Sequence, residues 1–313
     1  MALFRSDGGQ DERLRIGVSP AWNILYRGSL SSCNYACSYC PFAKTANTRE
    51  ELLEDQRQLE RFVAWVAAQS RRIGILFTPW GEALGHRYYR QAMIELAAMP
   101  HVYRVAIQTN LSAPLGEFGE ADRETLAFWA TFHPTQTSLT GFVARCRDLD
   151  EFGIRYSVGV VGMREHFNAI EALRSRLRPG VYLWINALKR VPDYYSLEEL
   201  ERLQAIDPYF HWNLQTYVSA RRACRAGETT FTVDGAGDVR RCHFVDDVLG
   251  NVYEASFPDC LKPRSCSAVT CGCHIGYVHR PDLRLDELYG AGLLERIPNQ
   301  WPNHVIGFAR AAR

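Results

Sequence analysis

The sequence predicts an α/β fold, a partial (βα)6 TIM-like barrel followed by a small unit built from a β-hairpin and a cysteine-rich stretch. Three observations predict it. Along the first part of the 313 residues, short β-rich runs alternate with segments of helical spacing. These units number about six, fewer than the eight that close a barrel. The ten cysteines are uneven: Cys33, Cys37 and Cys40 form one group, Cys146 stands alone, and Cys224, Cys242, Cys260, Cys266, Cys271 and Cys273 fall late in the chain.

A first strand is expected near Asn23 to Tyr26, with others at Ile73 to Phe77, Val102 to Gln108, Leu126 to Phe132, Arg155 to Val161 and Val181 to Ala187. Between them, Glu50 to Ser70 places Leu52, Leu53, Leu59, Phe62, Val63 and Val66 on one helical face. Leu139, Phe142, Val143, Cys146, Leu149 and Phe152 recur at three and four before Gly153, a C-cap residue. Phe167, Ile170, Leu173 and Leu177 make a third stripe, and Ser196 with Glu199 has the capping-box form that opens a fourth helix. After about Asp207, Thr229 to Val233, Asp234, Gly235, Gly237 and Val239 read as a hairpin, followed by the cysteine-rich stretch and a terminal helix over Asp282 to Arg296. The expected units are an N-terminal extension (1–19), the barrel (20–207), the hairpin and cysteine-rich unit (208–280) and a C-terminal helix and tail (281–313).

Hydrophobic residues make up 47% and charged residues 23%, an ordinary globular composition that excludes wholesale disorder. A formal charge of +1 gives no global field to hold nucleic acid or an anionic membrane. No apolar run reaches the length of a spanning helix. Acidic residues stand where a signal peptide would be apolar, so a reducing, cytoplasmic setting is expected. Cysteines in that setting are metal ligands or catalytic groups rather than disulfides.

Cys33, Cys37 and Cys40 fit CxxxCxxC, written here CNYACSYC. A [4Fe-4S] cluster takes four thiolates in ferredoxins. Three thiolates leave one iron open to a ligand bearing an amino group and a carboxylate, as S-adenosylmethionine does. The motif, with Tyr39 at its aromatic position, resembles that of the radical S-adenosylmethionine superfamily. The segment TPWGEAL (78–84) is similar to that family's GGEP segment after the second strand, with Trp80 and Ala83 at its first glycine and its proline. The resemblance implies that Gly81 and Glu82 hold the methionine amino group, and that Thr109 and Asn110 after the third strand match a TN segment near ribose and carboxylate. It also implies reductive cleavage of S-adenosylmethionine to a 5′-deoxyadenosyl radical, hydrogen abstraction from a substrate, and a reductant such as flavodoxin or ferredoxin. Zinc is the alternative for these cysteines.

Twelve residues separate Cys224 from Gly237 and four separate Gly237 from Cys242, a spacing that resembles the opening of the SPASM domain. Cys260, Cys266, Cys271 and Cys273 are similar to the rest of that domain only in a compressed spacing. The shorter twitch relatives imply one auxiliary [4Fe-4S] cluster, with Cys224 and Cys242 joined by two of Cys266, Cys271 and Cys273, and Cys260 spare. A structural zinc site, with His274, is the alternative.

Cys146 reads as a buried inert thiol. His133 would face the barrel mouth, to contact substrate or to cap its strand. Glu165 and His166 start a helix, where capping competes with function. Asn186, Lys189 and Arg190 end the sixth strand, where they would bind an anion or remain solvent-exposed, whereas Trp184, Trp212 and Tyr217 read as core. The expected substrate is a ribosomal peptide or a small metabolite, and an auxiliary cluster would make the outcome a net oxidation or a crosslink. No peptide-recognition domain is expected before residue 20. A non-catalytic iron-sulfur protein and a zinc-stabilised binding module are the competing readings.

Overall fold

The computed structural model describes residues 21–42, 45–189, 191–299 and 301. The expected extension 1–19, Arg190 and the tail beyond residue 301 lie outside them. Six parallel strands form the frame: β1 (Trp22–Tyr26), β2 (Ile73–Phe77), β3 (Val102–Thr109), β4 (Leu126–Thr131), β5 (Arg155–Val161) and β6 (Leu183–Asn186), paired in chain order. The connecting helices are α1 (Arg49–Ala67), α2 (Arg87–Ala97), α3 (Leu139–Phe152), α4 (Phe167–Arg176) and α5 (Leu197–Ile206), and β3 passes to β4 through the 3-10 turn Gly116–Phe118 alone. Capping boxes start α1 (Thr48 with Glu51) and α5 (Ser196 with Glu199), and α3 ends on Gly153 at φ 68°. Helix α2 was not among the expected elements. Its N-cap His86 makes no side-chain capping bond, so the usual start signal is missing.

After α6 (Phe210–Leu214) come β7 (Tyr217–Val218), β8 (Ala223–Cys224), β9 (Thr230–Val233), β10 (Asp238–Arg240), β11 (Val248–Asn251), β12 (Arg264–Ser265), β13 (Thr270–Cys271), α7 (His274–Tyr277) and α8 (Leu285–Tyr289). The hairpin β9–β10 forms as expected. It also pairs parallel to β1, Asn23 opposite Thr230, giving one nine-stranded sheet ordered β11-β10-β9-β1-β2-β3-β4-β5-β6 that crosses residue 207.

Strand alternation sends side chains to two faces. Trp22, Ile24 and Tyr26 pack outward with Leu59, Phe62 and Val66 of α1. Leu25, Leu76, Ala106, Ala127, Trp129 and Trp184 point inward. The C-terminal segment fills that inner face with Ile275, Tyr277, Val278, Leu285, Tyr289 and Leu294. The terminal helix expected over Asp282 to Arg296 is therefore corrected: the segment is the 3-10 turn Pro281–Leu283, the five-residue α8 and the 3-10 turn Gly290–Gly292. Gly290 has φ 43°, and a Cβ on Gly292 would stand 2.0 Å from the Ile297 carbonyl oxygen, so the chain turns tightly where a helix would continue. No helix among the described residues is long and apolar enough to cross a membrane.

Glu295 lies at the inner face with its side chain fully buried, 2.9 Å from Arg155 and 3.3 Å from Arg104. Removing the carboxylate strands two guanidinium groups. Glu295→Ala should lower unfolding free energy by about 3–5 kcal/mol in urea titration. A loss below about 1 kcal/mol would contradict this role.

Candidate functional site

The first cysteine group sits on the loop that leaves β1, and two acceptors clamp its approach. Asp55 of α1, 1% exposed, accepts from the backbone N–H of Ser29 (2.8 Å) and Leu30 (3.0 Å) and from the Tyr88 hydroxyl (2.9 Å). Asn47 Oδ1 accepts from the N–H groups of Ser31 (2.8 Å) and Ser32 (2.9 Å). The backbone leading into Cys33 is thereby fixed to α1 and its N-terminal approach. The loop after β2 then docks against it: Glu82 N–H donates to Ser32 O at 3.0 Å. A Cβ on Gly81 would stand 1.9 Å from that same oxygen, so only glycine permits the approach.

Glu82 is buried and ties the neighbouring strand end. Its Oε1 accepts from Thr109 Oγ1 at 2.6 Å and Leu84 N–H at 3.2 Å, and its Oε2 from Asn110 N–H at 2.6 Å. Burial pushes its carboxyl up to about 7, while these three hydrogen bonds favour the carboxylate and oppose the rise. The Asn110 side chain donates to Asn34 Oδ1 at 2.9 Å and lies 3.8 Å from Cys33 Sγ. Thus Gly81, Glu82, Thr109 and Asn110 are drawn against the cysteine loop from two further strands.

Cys33, Cys37, Cys40, Trp80, Gly81, Glu82, Thr109, Asn110 and His133 line one open cleft at the C-terminal ends of β1 to β4. Such ends converge on the functional mouth of α/β barrels. Tyr39 stands behind the cleft instead of lining it: its hydroxyl is 2.9 Å from His133 Nδ1, which also lies 3.3 Å from Cys37 Sγ. Burial, reinforced by His166, lowers His133 to about 4, so its ring is neutral at pH 7. His133 therefore faces the cysteine loop, and His166 packs edge-on to Tyr39 and bonds through Nδ1 to the Val161 carbonyl at 3.0 Å. Three thiols on one cleft wall, with no fourth cysteine beside them, fit an iron-sulfur cluster that keeps an open iron. Among the described residues no three His, Cys, Asp or Glu side chains are arranged around a single metal ion.

The second group is assembled by short ladders. Cys224 pairs opposite Arg264, and Cys266 exchanges backbone hydrogen bonds with Arg221 and Arg222. Cys271 pairs opposite Tyr217, and a Cβ on Gly276 would crowd its sulfur at 2.8 Å. Burial raises Cys224, Cys242 and Cys271, the last to about 12. The thiols of Cys224, Cys242, Cys266 and Cys271 lie within electrostatic reach of one another. Cys273 lies within reach of Cys271 and has Lys189, Arg296 and Arg27 as charged neighbours, whereas Cys260 stands apart beside Arg264. Arg241, 4% exposed, donates to the carbonyls of Ser265 and Arg264 and braces the cysteine loop. His274, the alternative zinc ligand, is buried edge-on between Trp129 and Tyr289 in the inner core. Cys146 is 1% exposed on the apolar face of α3, and burial pushes its thiol well up. Trp184 is buried, with Trp212 and Tyr217 packed against the same cluster.

No protein-family profile matches the chain, and no curated protein does. Solved structures do. SuiB of Streptococcus suis bound to S-adenosylmethionine is 14% identical with a TM-score of 0.50, covering 77% of this chain and 65% of its own. SuiB bound to its precursor peptide SuiA gives 14% and 0.52, covering 77% and 64%. The anSMEcpe structure with bound AdoMet and the Kp18Cys peptide gives 13% and 0.53, covering 77% and 80%. The chain thus spans slightly less than two thirds of SuiB. The chain shares the partial-barrel fold of these SuiB and anSMEcpe structures.

The raised Glu82 carboxyl makes stability depend on pH. A carboxyl pushed up to about 7 from about 4.5 contributes fully below pH 4.5, and that contribution is lost as pH rises through 7. In the metal-free chain, Glu82→Gln should remove a fall of up to about 3 kcal/mol between pH 5 and pH 8 from the unfolding free energy. Equal pH slopes in the two proteins would contradict the assignment.

Proposed function

We propose that this chain is a radical S-adenosylmethionine enzyme: it cleaves S-adenosylmethionine reductively and directs the resulting radical to a C–H bond of its substrate. The observation that carries this reading is the convergence of Cys33, Cys37 and Cys40 with Glu82, Thr109 and Asn110 on one cleft at the strand ends. Those three cysteines would hold the [4Fe-4S] cluster, which with S-adenosylmethionine supplies one-electron cleavage to a 5′-deoxyadenosyl radical that abstracts hydrogen. Gly81, Glu82, Thr109 and Asn110 form the wall for the methionine and ribose end. The acceptor Glu82 is held in place by its three donors, so no side-chain reorganisation is needed before a cofactor amino group arrives. Tyr39 and His133 back the Cys37 side and keep water from it.

One auxiliary [4Fe-4S] cluster is assigned to Cys224, Cys242, Cys266 and Cys271, the four thiols whose charges act on one another. Of these four, Cys273 acts on Cys271 alone, and it is left as the alternative to Cys266 or Cys271. Such a centre suits net oxidation or crosslinking of the substrate, with a flavodoxin or ferredoxin as reductant. The reading extends to a peptide or small-metabolite substrate. Peptides are bound in the SuiB–SuiA and anSMEcpe structures.

Anaerobic reconstitution with iron and sulfide, followed by dithionite and S-adenosylmethionine, should release 5′-deoxyadenosine. The Cys33→Ala/Cys37→Ala/Cys40→Ala protein should release none yet keep one cluster's absorbance, which Cys242→Ala should remove. A preparation that holds only zinc, or iron without cleavage, would overturn the reading.

A further inference from the structure

Of the three cysteines on the cleft wall only Cys37 is buried, 4% exposed, whereas Cys33 and Cys40 are partly open to solvent. A sulfur that carries cluster charge in such a place is cut off from water and needs donors from the protein. The other two sulfurs are served differently. Cys33 Sγ accepts from the Tyr35 backbone N–H at 3.4 Å and stands 3.8 Å from the Asn110 side-chain amide. Cys40 Sγ lies 3.5 Å from the Phe42 carbonyl, which is itself an acceptor. At Cys37 three atoms form a triangle. Its Sγ is 3.3 Å from His133 Nδ1, that nitrogen is 2.9 Å from the Tyr39 hydroxyl, and the hydroxyl hydrogen-bonds Cys37 in turn.

A cluster-bound Cys37 is a thiolate, which accepts hydrogen bonds and cannot donate them. A bare Nδ1 would leave two of the three contacts without a hydrogen, one of them against the charged sulfur. An Nδ1 that carries hydrogen donates between Sγ and the Tyr39 oxygen, and the Tyr39 hydroxyl is then free to donate to Sγ. Both donors converge on Cys37. The fold holds them there: the turn after β4 is closed by the N–H groups of Gln136 and Thr137 on the His133 carbonyl at 2.9 and 3.2 Å. The same turn is tied to the cysteine loop, because Ala36 N–H donates to Gln136 Oε1 at 3.0 Å. The His133 ring stacks on Tyr39 at 12° and meets Tyr35 edge-on at 81°.

We propose that His133 and Tyr39 are positioning residues for the first cluster: both donate to the Cys37 sulfur and thereby raise the cluster's reduction potential. The inference rests on the reading that Cys33, Cys37 and Cys40 hold that cluster. Reduction adds negative charge that spreads onto the cluster sulfurs, so fixed donors at one sulfur stabilise the reduced form more than the oxidised form. Because they are in place before the electron arrives, no reorganisation opposes its arrival. The pair therefore acts on loading of the electron by the external reductant, and not on the binding of S-adenosylmethionine.

The test uses the full chain in the Cys242→Ala/Cys271→Ala background, reconstituted without air so that only the first cluster is present. Reduction by Ti(III) citrate is followed by electron paramagnetic resonance at poised potentials, without S-adenosylmethionine. His133→Leu and Tyr39→Phe should each lower the reduced-to-oxidised ratio at a fixed potential by about threefold to tenfold, which is roughly 30–60 mV for one electron. His133→Asn, whose side-chain N–H replaces the Nδ1 donor, should recover at least half of the loss. An unchanged ratio in His133→Leu or Tyr39→Phe, or equal losses in His133→Leu and His133→Asn, would overturn the proposal. If the variants fail to take up the cluster, the background protein still decides. Grown with nitrogen-15 histidine, its reduced cluster should show a nitrogen-15 coupling in pulsed resonance spectra, and a spectrum without one would overturn the proposal. A background protein that takes up no cluster would strike the underlying reading, whereas equal potentials on a formed cluster strike this inference alone.

Discussion

The structure depends on one backbone contact, the hydrogen bond between Ser32 and Glu82 across the bare α-carbon of Gly81. It joins the cysteine loop to the rim of the sheet. On one side of it, Asp55 and Asn47 hold the loop through four backbone N–H groups. On the other side, Glu82 reaches back to Thr109 and Asn110, so loops from three strands become one wall. A cysteine triad on an untethered loop would sample many arrangements, and ordering it on metal binding would cost entropy. Here the ordering is built into the fold.

The inner face obeys a related constraint. An open six-stranded frame leaves apolar surface that a closed barrel would fill with its own layers of side chains. This chain covers it with residues from its C-terminal segment, from Ile275 to Leu294, and closes the base with the buried Arg104–Glu295–Arg155 group. The same segment follows directly on Cys271 and Cys273, and Lys189 after β6 donates to the Gly272 carbonyl between them, so filling the core also ties that stretch to the end of β6. Packing and site assembly are one event, and the sheet expresses this by running from the barrel into the hairpin.

Local signals made much of this legible. β1 to β6 follow from β-rich runs, α1, α3 and α4 from apolar stripes, α5 from its capping box, and the cysteine triad with Glu82, Thr109 and Asn110 from spacing and position after strands. Helix α2 escaped because His86 offers no side-chain cap. The C-terminal segment misled because its apolar residues are buried on several sides, and only Gly290 and Gly292 betray the turns. Asp55 and Asn47 were invisible for a different reason: a polar residue reveals a backbone clamp only when the distant segment it holds is known.

On the proposed function, Cys33, Cys37 and Cys40 would fill three iron sites of a cluster and leave the fourth to a small molecule. Electron paramagnetic resonance of dithionite-reduced Cys242→Ala/Cys271→Ala protein, which keeps only the first cluster, tests it most directly. S-adenosylmethionine should displace the g values of that signal, because it enters the coordination sphere. An identical spectrum with and without S-adenosylmethionine would contradict it.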